Sequence, residues 1–434
     1  MPLPESQMNK NKLEEEFYEA HNLPKIYYHS ESDKIFMEDA EGKYRGYRKP
    51  IVISRLVHEN SMAKEDAEVH VLSSFSHSCI DTVIEIGGLR KGLHQVSGHK
   101  VLVPSEQKRI QPVSGDWSTI RSYLIGMLGN EQFEWFLGWL KTWLDGYYQY
   151  IQTPGQVLIL IGDTSSGKTL LKTLLGKVFG GVGQPIKYMT GGTGFNGELC
   201  GLCCLCIDDK LNDLGRNGKR KLKAECKEMA VAGEIRFELK NKTAFTASPI
   251  HRLLICCNYT EDSVSVIPDI DPSTKNKISI LECYKKPMPM KARTAIERKE
   301  FMNQLEQELP AMIHYALYEH HIDDRFADLE EERMGVRGYH NQDALDFVEN
   351  HSTDGIRLLG IIEAIRKETN LNTEWVGKSG ELAALLKRGY HETTATATSI
   401  GKFLSNRINC GSRLVKLIKH RTYWIDLREQ DEGS

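Results

Sequence analysis

Short apolar runs separated by polar segments dominate the middle of the chain. Residues 157–161, 202–207 and 253–257 are such runs, and glycine, acidic or amide side chains follow them. Five or six consecutive apolar residues bounded by turn formers are typical of strands buried in a parallel sheet. Residues 170–175, after the first run, have the apolar spacing of a helix. The pattern therefore predicts an α/β core with a parallel sheet over residues 151–285.

The pattern changes on both sides of this core. Residues 25–29, 34–38 and 44–53 are rich in strand-forming side chains, which predicts an N-terminal α+β region. Residues 117–150 place aromatic side chains at helical spacing, and such a stripe is more typical of a packed helix than of a base-stacking platform. The predicted organisation is an α+β region of unknown role at 1–115, a helical collar or linker at 116–150, the core at 151–285, a helical extension at 286–350 and a C-terminal unit at 351–427.

The C-terminal unit has its own pattern. Three amphipathic helices at 355–369, 379–388 and 398–408 precede two strands at 413–419 and 421–427, which predicts a winged helix. Between residues 351 and 425 there are twelve Lys or Arg against six Asp or Glu. This local positive charge favours contact with duplex or origin DNA, although winged helices also bind proteins. The basic residues on the third helix and the wing are Lys402, Arg407, Arg413, Lys416, Lys419 and Arg421.

Composition narrows the class of protein. The 434 residues are 40% hydrophobic and 26% charged, with a formal net charge of −3, so the whole chain is not a polybasic nucleic-acid binder. We see no apolar run long enough to span a membrane and no secretory signal, so no membrane partner is expected. Ten cysteines are present, several inside the apolar runs, where small buried side chains explain them better than a zinc site. Free thiols in this number predict a cytoplasmic protein, since they suit a reducing compartment.

Residues 162–169 carry the most specific motif. They fit the phosphate-loop pattern G-x-x-x-x-G-K-[ST], and a predicted strand precedes them and a predicted helix follows. Such a loop directs backbone N–H groups at phosphate oxygens, while its lysine reaches the β- and γ-phosphates and its last hydroxyl binds Mg²⁺. The sequence therefore predicts a site for ATP and Mg²⁺ at Gly162, Asp163, Thr164, Ser165, Ser166, Gly167, Lys168 and Thr169.

Two later runs end in residues that suit the same chemistry. The run at 202–207 leads into Asp208 and Asp209, one expected to contact Mg²⁺ through water and the other to orient the attacking water. We assign the metal to Asp208 and the water to Asp209, although the order could be exchanged. Asn258 follows the third run, where an amide could bond the γ-phosphate or the water; asparagine is also a common turn residue.

A basic hairpin is predicted between these two runs. Residues 235–239 alternate apolar and charged side chains, and Lys240 and Lys242 lie at the turn that follows. Basic side chains on a hairpin could follow the phosphates of DNA, because phosphate contacts dominate affinity for nucleic acids. A solvated charged surface explains the pattern equally well.

Phosphate loop, acidic pair, basic hairpin and strand-terminal asparagine follow one another within about 100 residues, in an order that resembles the superfamily 3 helicases. Residues 110–427 look like the helicase part of phage- and plasmid-type primase–helicases, which are AAA+ related. This resemblance implies that Lys168, Asp208, Asp209 and Asn258 act in hydrolysis and that Lys240 and Lys242 contact DNA. It also implies a homo-hexameric ring around single-stranded DNA with ATP at the subunit interfaces.

The chain departs from that family at the expected arginine finger. The stretch after Asn258 offers Lys275 and Lys277 instead, and we assign Lys277 as the catalytic cation supplied by a neighbour. Lysine lacks the planar fork of arginine and is not an equal replacement. Arg293 and Arg333 are further candidates. The N-terminal region shows no paired acids for primer synthesis, so a primase or polymerase would be a separate partner.

The sequence predicts an α/β protein with an AAA+-like P-loop NTPase core. Its predicted function is an ATP-dependent, ring-forming DNA helicase or translocase that replicates a phage, plasmid or other mobile element. A DNA-bound NTPase switch, such as a loader, initiator or defence ATPase that does not unwind processively, is the alternative. A third hypothesis is a non-enzymatic initiator that uses nucleotide only to assemble. The DNA partners expected are single strands at the ring and duplex at Lys402, Arg407 and Lys419.

Overall fold

The computed structural model describes twelve stretches of the chain. They are residues 24–208, 216–231, 233–240, 244–264, 267–268, 270–271, 273–329, 333–351, 353–389, 396–410, 412–419 and 422–428. Within these stretches, no helix combines the length and the apolar character needed to cross a membrane.

The chain divides into two compact units, each built from two segments. The first unit joins Met1–Lys108 to Glu234–Pro249, and the second joins Arg109–Gly233 to Ile250–Ser434. The sequence predicts the basic hairpin within the α/β core, but its strands group with the N-terminal region. The other predicted domain boundaries stay predictions.

Among the described residues, the N-terminal segment of the first unit contains two small sheets and two helices. Its elements are β1 (Ile26–His29), β2 (Lys34–Glu38), β3 (Tyr44–Tyr47), α1 (Lys49–Glu59), α2 (Lys64–His77), β4 (Cys79–Ile80), β5 (Thr82–Val83), β6 (Gly92–Val96) and β7 (His99–Val103). One sheet has the order β3-β2-β1-β4 and the other the order β5-β7-β6. This agrees with the predicted α+β character.

One predicted strand of this unit is partly a helix. Residues 44–53 carry β-type side chains, but the strand ends at Tyr47 and α1 begins at Lys49. Pro50 suits the first turn of a helix, and Val52 and Leu56, one turn apart, are fully buried. Burial of one helical face therefore outweighs the strand preference of the β-branched side chains.

The second unit begins with a long helix and most of the central sheet. In chain order these elements are α3 (Ser118–Gln149), β8 (Val157–Ile161), α4 (Lys168–Val178), β9 (Val182–Gly183), α5 (Ile186–Met189), the 3₁₀ turn Gly197–Leu199, β10 (Cys204–Asp208) and α6 (Arg216–Val231). The hairpin strands of the first unit, β11 (Ile235–Phe237) and β12 (Phe245–Ala247), come next.

The remaining elements return to the second unit. They are β13 (Arg252–Cys257), α7 (Glu261–Val264), β14 (Ile278–Glu282), α8 (Ala295–His314), the π-helical turn Tyr315–Glu319, α9 (Gln342–Asn350), α10 (Thr353–Thr369), β15 (Glu374–Lys378), α11 (Ser379–Gly389), α12 (Ala397–Cys410), β16 (Val415–Lys419) and β17 (Thr422–Asp426). A capping box between Thr294 and Glu297 starts α8.

A five-stranded parallel sheet forms the centre of this unit, as predicted. Its order is β14-β8-β13-β10-β9, and every neighbouring pair is parallel. All side chains of β8 and β13 are buried, including Arg252 at the start of β13. Burial on both faces explains the unbroken apolar runs at 157–161 and 253–257. Because the strands are parallel, their carboxyl ends meet at one edge of the sheet.

Helix α3 supplies much of the core beside this sheet. Trp135, Trp139 and Trp143 are fully buried, and the ring of Trp143 stacks on Phe179 with centroids 3.6 Å apart. A kink at Gly129, where φ is 70°, divides the helix. Burial confirms the prediction that this aromatic stripe packs a core.

The C-terminal part of the unit has a hydrophobic cluster of its own. Helices α10, α11 and α12 pack with an antiparallel sheet of order β15-β17-β16. The three helices and the last two strands agree with the predicted elements, while β15 was not predicted. The winged-helix assignment itself stays a prediction.

Candidate nucleotide-binding site

The phosphate loop connects buried β8 to the first turn of α4. Its turn needs left-handed backbone at Ser165 and Gly167, where φ is 68° and 104°. Gly162 lies so close to the neighbouring chain that a Cβ atom would overlap the carbonyl oxygen of Cys283. The hydroxyl of Tyr123 donates a 2.8 Å hydrogen bond to the carbonyl of Gly167. The loop is therefore held from both sides by the core.

Lys168 lies inside this loop with only 8% of its surface exposed. Its ammonium group donates to the carbonyl oxygens of Gly162 and Asp163, at 2.7 and 2.9 Å, and to the Ser166 hydroxyl at 3.1 Å. A buried ammonium group needs oxygen partners, and phosphate oxygens could replace these ones. Lys168 is thus held where a phosphate would be bound.

Strands β10 and β13 bring two further predicted residues to the same place. Asp208 lies opposite Cys256 in the parallel register, and Asn258 follows β13 directly. A cavity of about 470 Å³ opens at this edge of the sheet. It is lined by Thr164, Ser165, Ser166, Gly167, Lys168, Thr169, Asp208, Cys256, Asn258 and Met288. The phosphate loop, Asp208 and Asn258, which are spread over almost 100 residues of sequence, therefore line one cavity.

The oxygen groups at this cavity suit a small divalent cation. Thr169 is exposed at the start of α4, and Asp208 supplies a carboxylate from the end of β10. Hydroxyl and carboxylate oxygens are the ligands that Mg²⁺ takes in nucleotide sites. The left-handed loop, the Lys168 ammonium and these two oxygen groups fit a nucleotide with Mg²⁺.

Lys172 is a residue of this site that sequence analysis missed. It lies one turn after Lys168 on α4, and its ammonium group forms a close ion pair with the Asp208 carboxylate. Burial alone would lower the pKa of Lys172, but the hydrogen bond and charge of Asp208 raise it above the ordinary value. The i,i+4 spacing from Lys168 was the available signal, because it places both lysines on one face of the helix.

Cys256 and Met288 were also missed. Cys256 belongs to an apolar run whose facing could not be read from the sequence, and Met288 lies in an irregular loop after β14. The neighbouring cysteines are buried as predicted. Burial raises the pKa of Cys204 to about 12, so its thiol stays neutral.

Lys277, a further predicted catalytic residue, does not line this cavity. Asp209 lies outside the described residues. Lys277 directly precedes β14, and its carbonyl accepts a 2.9 Å hydrogen bond from Val157 N–H. Val157 begins β8 and Lys277 precedes β14, so both lie at the amino ends of these strands. The phosphate loop follows the carboxyl end of β8, so Lys277 lies roughly 15 Å along the sheet from the phosphate loop of its own chain. Lys275 is exposed beside it.

The other candidate cations occupy separate loops. Arg293 is exposed, and its backbone N–H donates to Glu297 at the start of α8. The backbone N–H of Arg333 donates to Asp328. Neither arginine lines the cavity at the phosphate loop.

The predicted DNA contacts are partly exposed and partly buried. Lys240, Lys402 and Lys419 are exposed, whereas Lys242 lies outside the described residues. Arg407 must be corrected: it is 5% exposed, and its guanidinium pairs with Glu349 at 2.8 Å. A buried guanidinium cannot reach a DNA phosphate without breaking this pair, so Arg407 attaches α12 to α9 instead.

Fold and site together are consistent with a P-loop NTPase core. When its five strands are numbered in chain order, their order across the sheet is 5-1-4-3-2. The phosphate loop follows the first of these strands, Asp208 ends the third, and Asn258 follows the fourth.

The chain is similar to one family model and to several solved structures. Residues 160–272 match a model described as a family of unknown function, DUF5906. No curated protein matches the sequence. Two apo structures of the NrS-1 C-terminal region are similar over most of the chain, with TM-scores of 0.55 and 0.56. In both, the identity is 14%, and the match covers 93% of this chain and 96% of the other.

These matches confirm that the resemblance to known proteins extends over most of the chain, and at this identity they show a shared fold alone. A structure named "SCCmec type IV Cch - active helicase" matches at 10% identity, over 89% of this chain and 70% of the other. Its TM-score of 0.30 is too low to support an argument.

Proposed function

We propose that this protein is an ATP-dependent, ring-forming DNA helicase or translocase in the replication of a phage, plasmid or other mobile element. One observation carries the proposal: the phosphate loop, Asp208 and Asn258 line a single cavity at the carboxyl edge of the parallel sheet. This is the arrangement that ATP hydrolysis needs, since a phosphate cradle, a metal-binding carboxylate and a polar group near the γ-phosphate must converge.

In this proposal the loop backbone and Lys168 bind the phosphates of ATP. Thr169 and Asp208 hold Mg²⁺, which when bound offsets the negative charge of the phosphates. Asn258 contacts the γ-phosphate or the attacking water, and Asp209 orients that water. Positioning and charge neutralisation supply most of the catalysis in phosphoryl transfer, so these groups have few covalent tasks.

A neighbouring subunit completes the site in this proposal. Lys277 is too far along the sheet to reach the phosphates bound by its own chain. In a homo-hexameric ring, head-to-tail contacts would bring the Lys277 edge of one subunit to the phosphate loop of the next. Lysine in place of arginine predicts slower hydrolysis.

DNA contacts are proposed at two places. Lys240 and Lys242 at the hairpin turn would follow single-stranded DNA through the ring, and a winged helix at 351–427 would use Lys402 and Lys419 on duplex DNA. Their exposure supports contact with phosphates for the described residues Lys240, Lys402 and Lys419. A separate primase or polymerase would extend the exposed strand.

The alternative is a DNA-bound NTPase switch that assembles on DNA without processive unwinding. The lysine at position 277 favours it, because a weak trans-acting cation suits slow turnover better than rapid translocation.

Strand displacement on a forked DNA substrate distinguishes the two. We expect the wild-type protein to unwind the fork with ATP, and the double change Lys240→Ala and Lys242→Ala to abolish unwinding while ATP hydrolysis persists. The control is Lys34→Ala with Lys43→Ala, which removes the same charge from exposed positions of the same unit. Normal unwinding by the hairpin variant contradicts the proposed DNA contact at Lys240 and Lys242. DNA-stimulated hydrolysis without unwinding by the wild type contradicts the helicase proposal and favours the switch.

A further inference from the structure

Lys172 and Asp208 form a pair at the edge of the cavity. Lys172 Nζ contacts Asp208 Oδ2, and the two side chains are 19% and 37% exposed. Lys172 does not line the cavity, so it approaches the carboxylate from beside it. Lys172 therefore pairs with the same carboxylate that is proposed to bind the metal.

A second cation at Asp208 would meet this ammonium group. Like charges within about 4 Å repel strongly at a partly buried site, and a divalent ion doubles the effect. Lys168 adds another positive charge in the same loop region, and its own oxygen partners are neutral carbonyl and hydroxyl groups. The described cavity lining contains one carboxylate, Asp208. Without nucleotide, the cavity therefore offers little negative charge to offset a metal ion in addition to the two lysines.

Triphosphate changes this balance, because its negative charges offset both ammonium groups at once. We propose that Lys172 competes with divalent metal for Asp208, so that the protein binds free metal weakly and takes it up together with nucleotide. This inference rests on the proposed function in assigning Asp208 as the metal ligand. Lys172 is a positioning residue in this scheme, since it acts through Asp208.

Metal binding without nucleotide tests the proposal directly. Mn²⁺ titrations followed by electron paramagnetic resonance should show Lys172→Met binding Mn²⁺ about tenfold or more tightly than the wild type, because a charge-assisted hydrogen bond no longer competes for the carboxylate. Lys172→Arg should bind Mn²⁺ as weakly as the wild type, since a guanidinium also pairs with a carboxylate. The gain should vanish in the double variant Lys172→Met with Asp208→Asn.

Lys177→Met is the matched control. Lys177 lies on the same helix and pairs with Glu306 at 2.8 Å, away from the cavity lining. It should leave Mn²⁺ affinity unchanged, and melting temperatures of all variants check folding.

Two results would overturn the inference: unchanged Mn²⁺ affinity in folded Lys172→Met protein, or a gain that persists after Asp208→Asn. Titration of the wild type with a fluorescent ATP analogue and Mg²⁺ is a separate test. Absence of binding there contradicts the proposed function, whereas binding there with an unchanged Lys172→Met affinity for Mn²⁺ contradicts only the role of Lys172.

Discussion

At the scale of single residues, the site depends on close approach as much as on charge. Gly162 lies where any side chain would overlap the Cys283 carbonyl, at the start of the loop that holds Lys168. At this point the residue after β8 packs directly against the residue after β14. The glycine is therefore required by packing before any ligand is considered.

Replacing this glycine should weaken the fold and the site together. Gly162→Ala should lower the free energy of unfolding by about 1–3 kcal/mol, because backbone must shift to admit the methyl group. Thermal melting and titration with a fluorescent ATP analogue measure the two effects. Gly194→Ala is the control, since its added Cβ atom would have no atom within 4 Å. Equal melting temperatures for the two variants would show that β8 and the Cys283 segment can separate freely.

Glu349 is a buried carboxyl group with an unusual pKa. Burial raises its pKa to about 7 from an ordinary value of 4.5, although Arg407 opposes part of this rise. Between these two values the folded protein holds a proton that the unfolded chain has lost. Stability from this group is therefore present below about pH 4.5 and is lost as pH rises through about 7.

Glu349→Gln should remove this pH dependence. The melting temperature of the wild type relative to Glu349→Gln should fall between pH 5 and pH 8, with a change of up to about 3 kcal/mol in stability. Glu300→Gln, at an exposed position on α8, should leave the slope unchanged. A wild-type advantage that grows with pH would mean that the ion pair with Arg407 governs the site.

At the scale of elements, the sequence predicts correctly those helices and strands whose conformation depends on contiguous residues. The strand, loop and helix around Lys168 are contiguous in the chain, and the apolar runs of β10 and β13 identify strands buried on both faces. Parallel pairing then brings Asp208 and Asn258 to the edge where the loop lies. This part of the site follows from the sequence once the strands are taken as neighbours.

Tertiary contacts account for what the sequence did not predict. Lys172 and Met288 reach the site through helix facing and an irregular loop, and neither has a motif. Arg407 appears as a basic residue on an amphipathic helix, but its partner Glu349 is 58 residues away. The helix at Lys49–Glu59 carries strand-forming side chains, and only its packing decides its conformation.

At the scale of the whole molecule, the position of Lys277 predicts activity that depends on assembly. Its strand begins at the edge of the sheet opposite the phosphate loop. In the proposed ring, subunits that each lack one half of the site should therefore complement each other.

Mixing Lys168→Ala and Lys277→Ala proteins tests this dependence. Each variant alone should be inactive in ATP hydrolysis, and an equal mixture should recover up to about a quarter of wild-type activity, the share of interfaces that pair two intact halves in a random ring. The same mixture with Lys275→Ala in place of Lys277→Ala shows which lysine acts. A mixture no more active than its components would place the catalytic cation within the same chain or at another residue.

The division of the chain into two-segment units has a consequence for how the protein can be taken apart. Its backbone passes between the units three times, at 108–109, 233–234 and 249–250. Glu234, in the later segment of the first unit, accepts a hydrogen bond from Ser97 in the earlier one. Exchanging the first 108 residues for those of another protein would leave the hairpin without its matching surface. The N-terminal region is therefore not an interchangeable cassette, because a hairpin more than a hundred residues away in the chain belongs to the same compact unit.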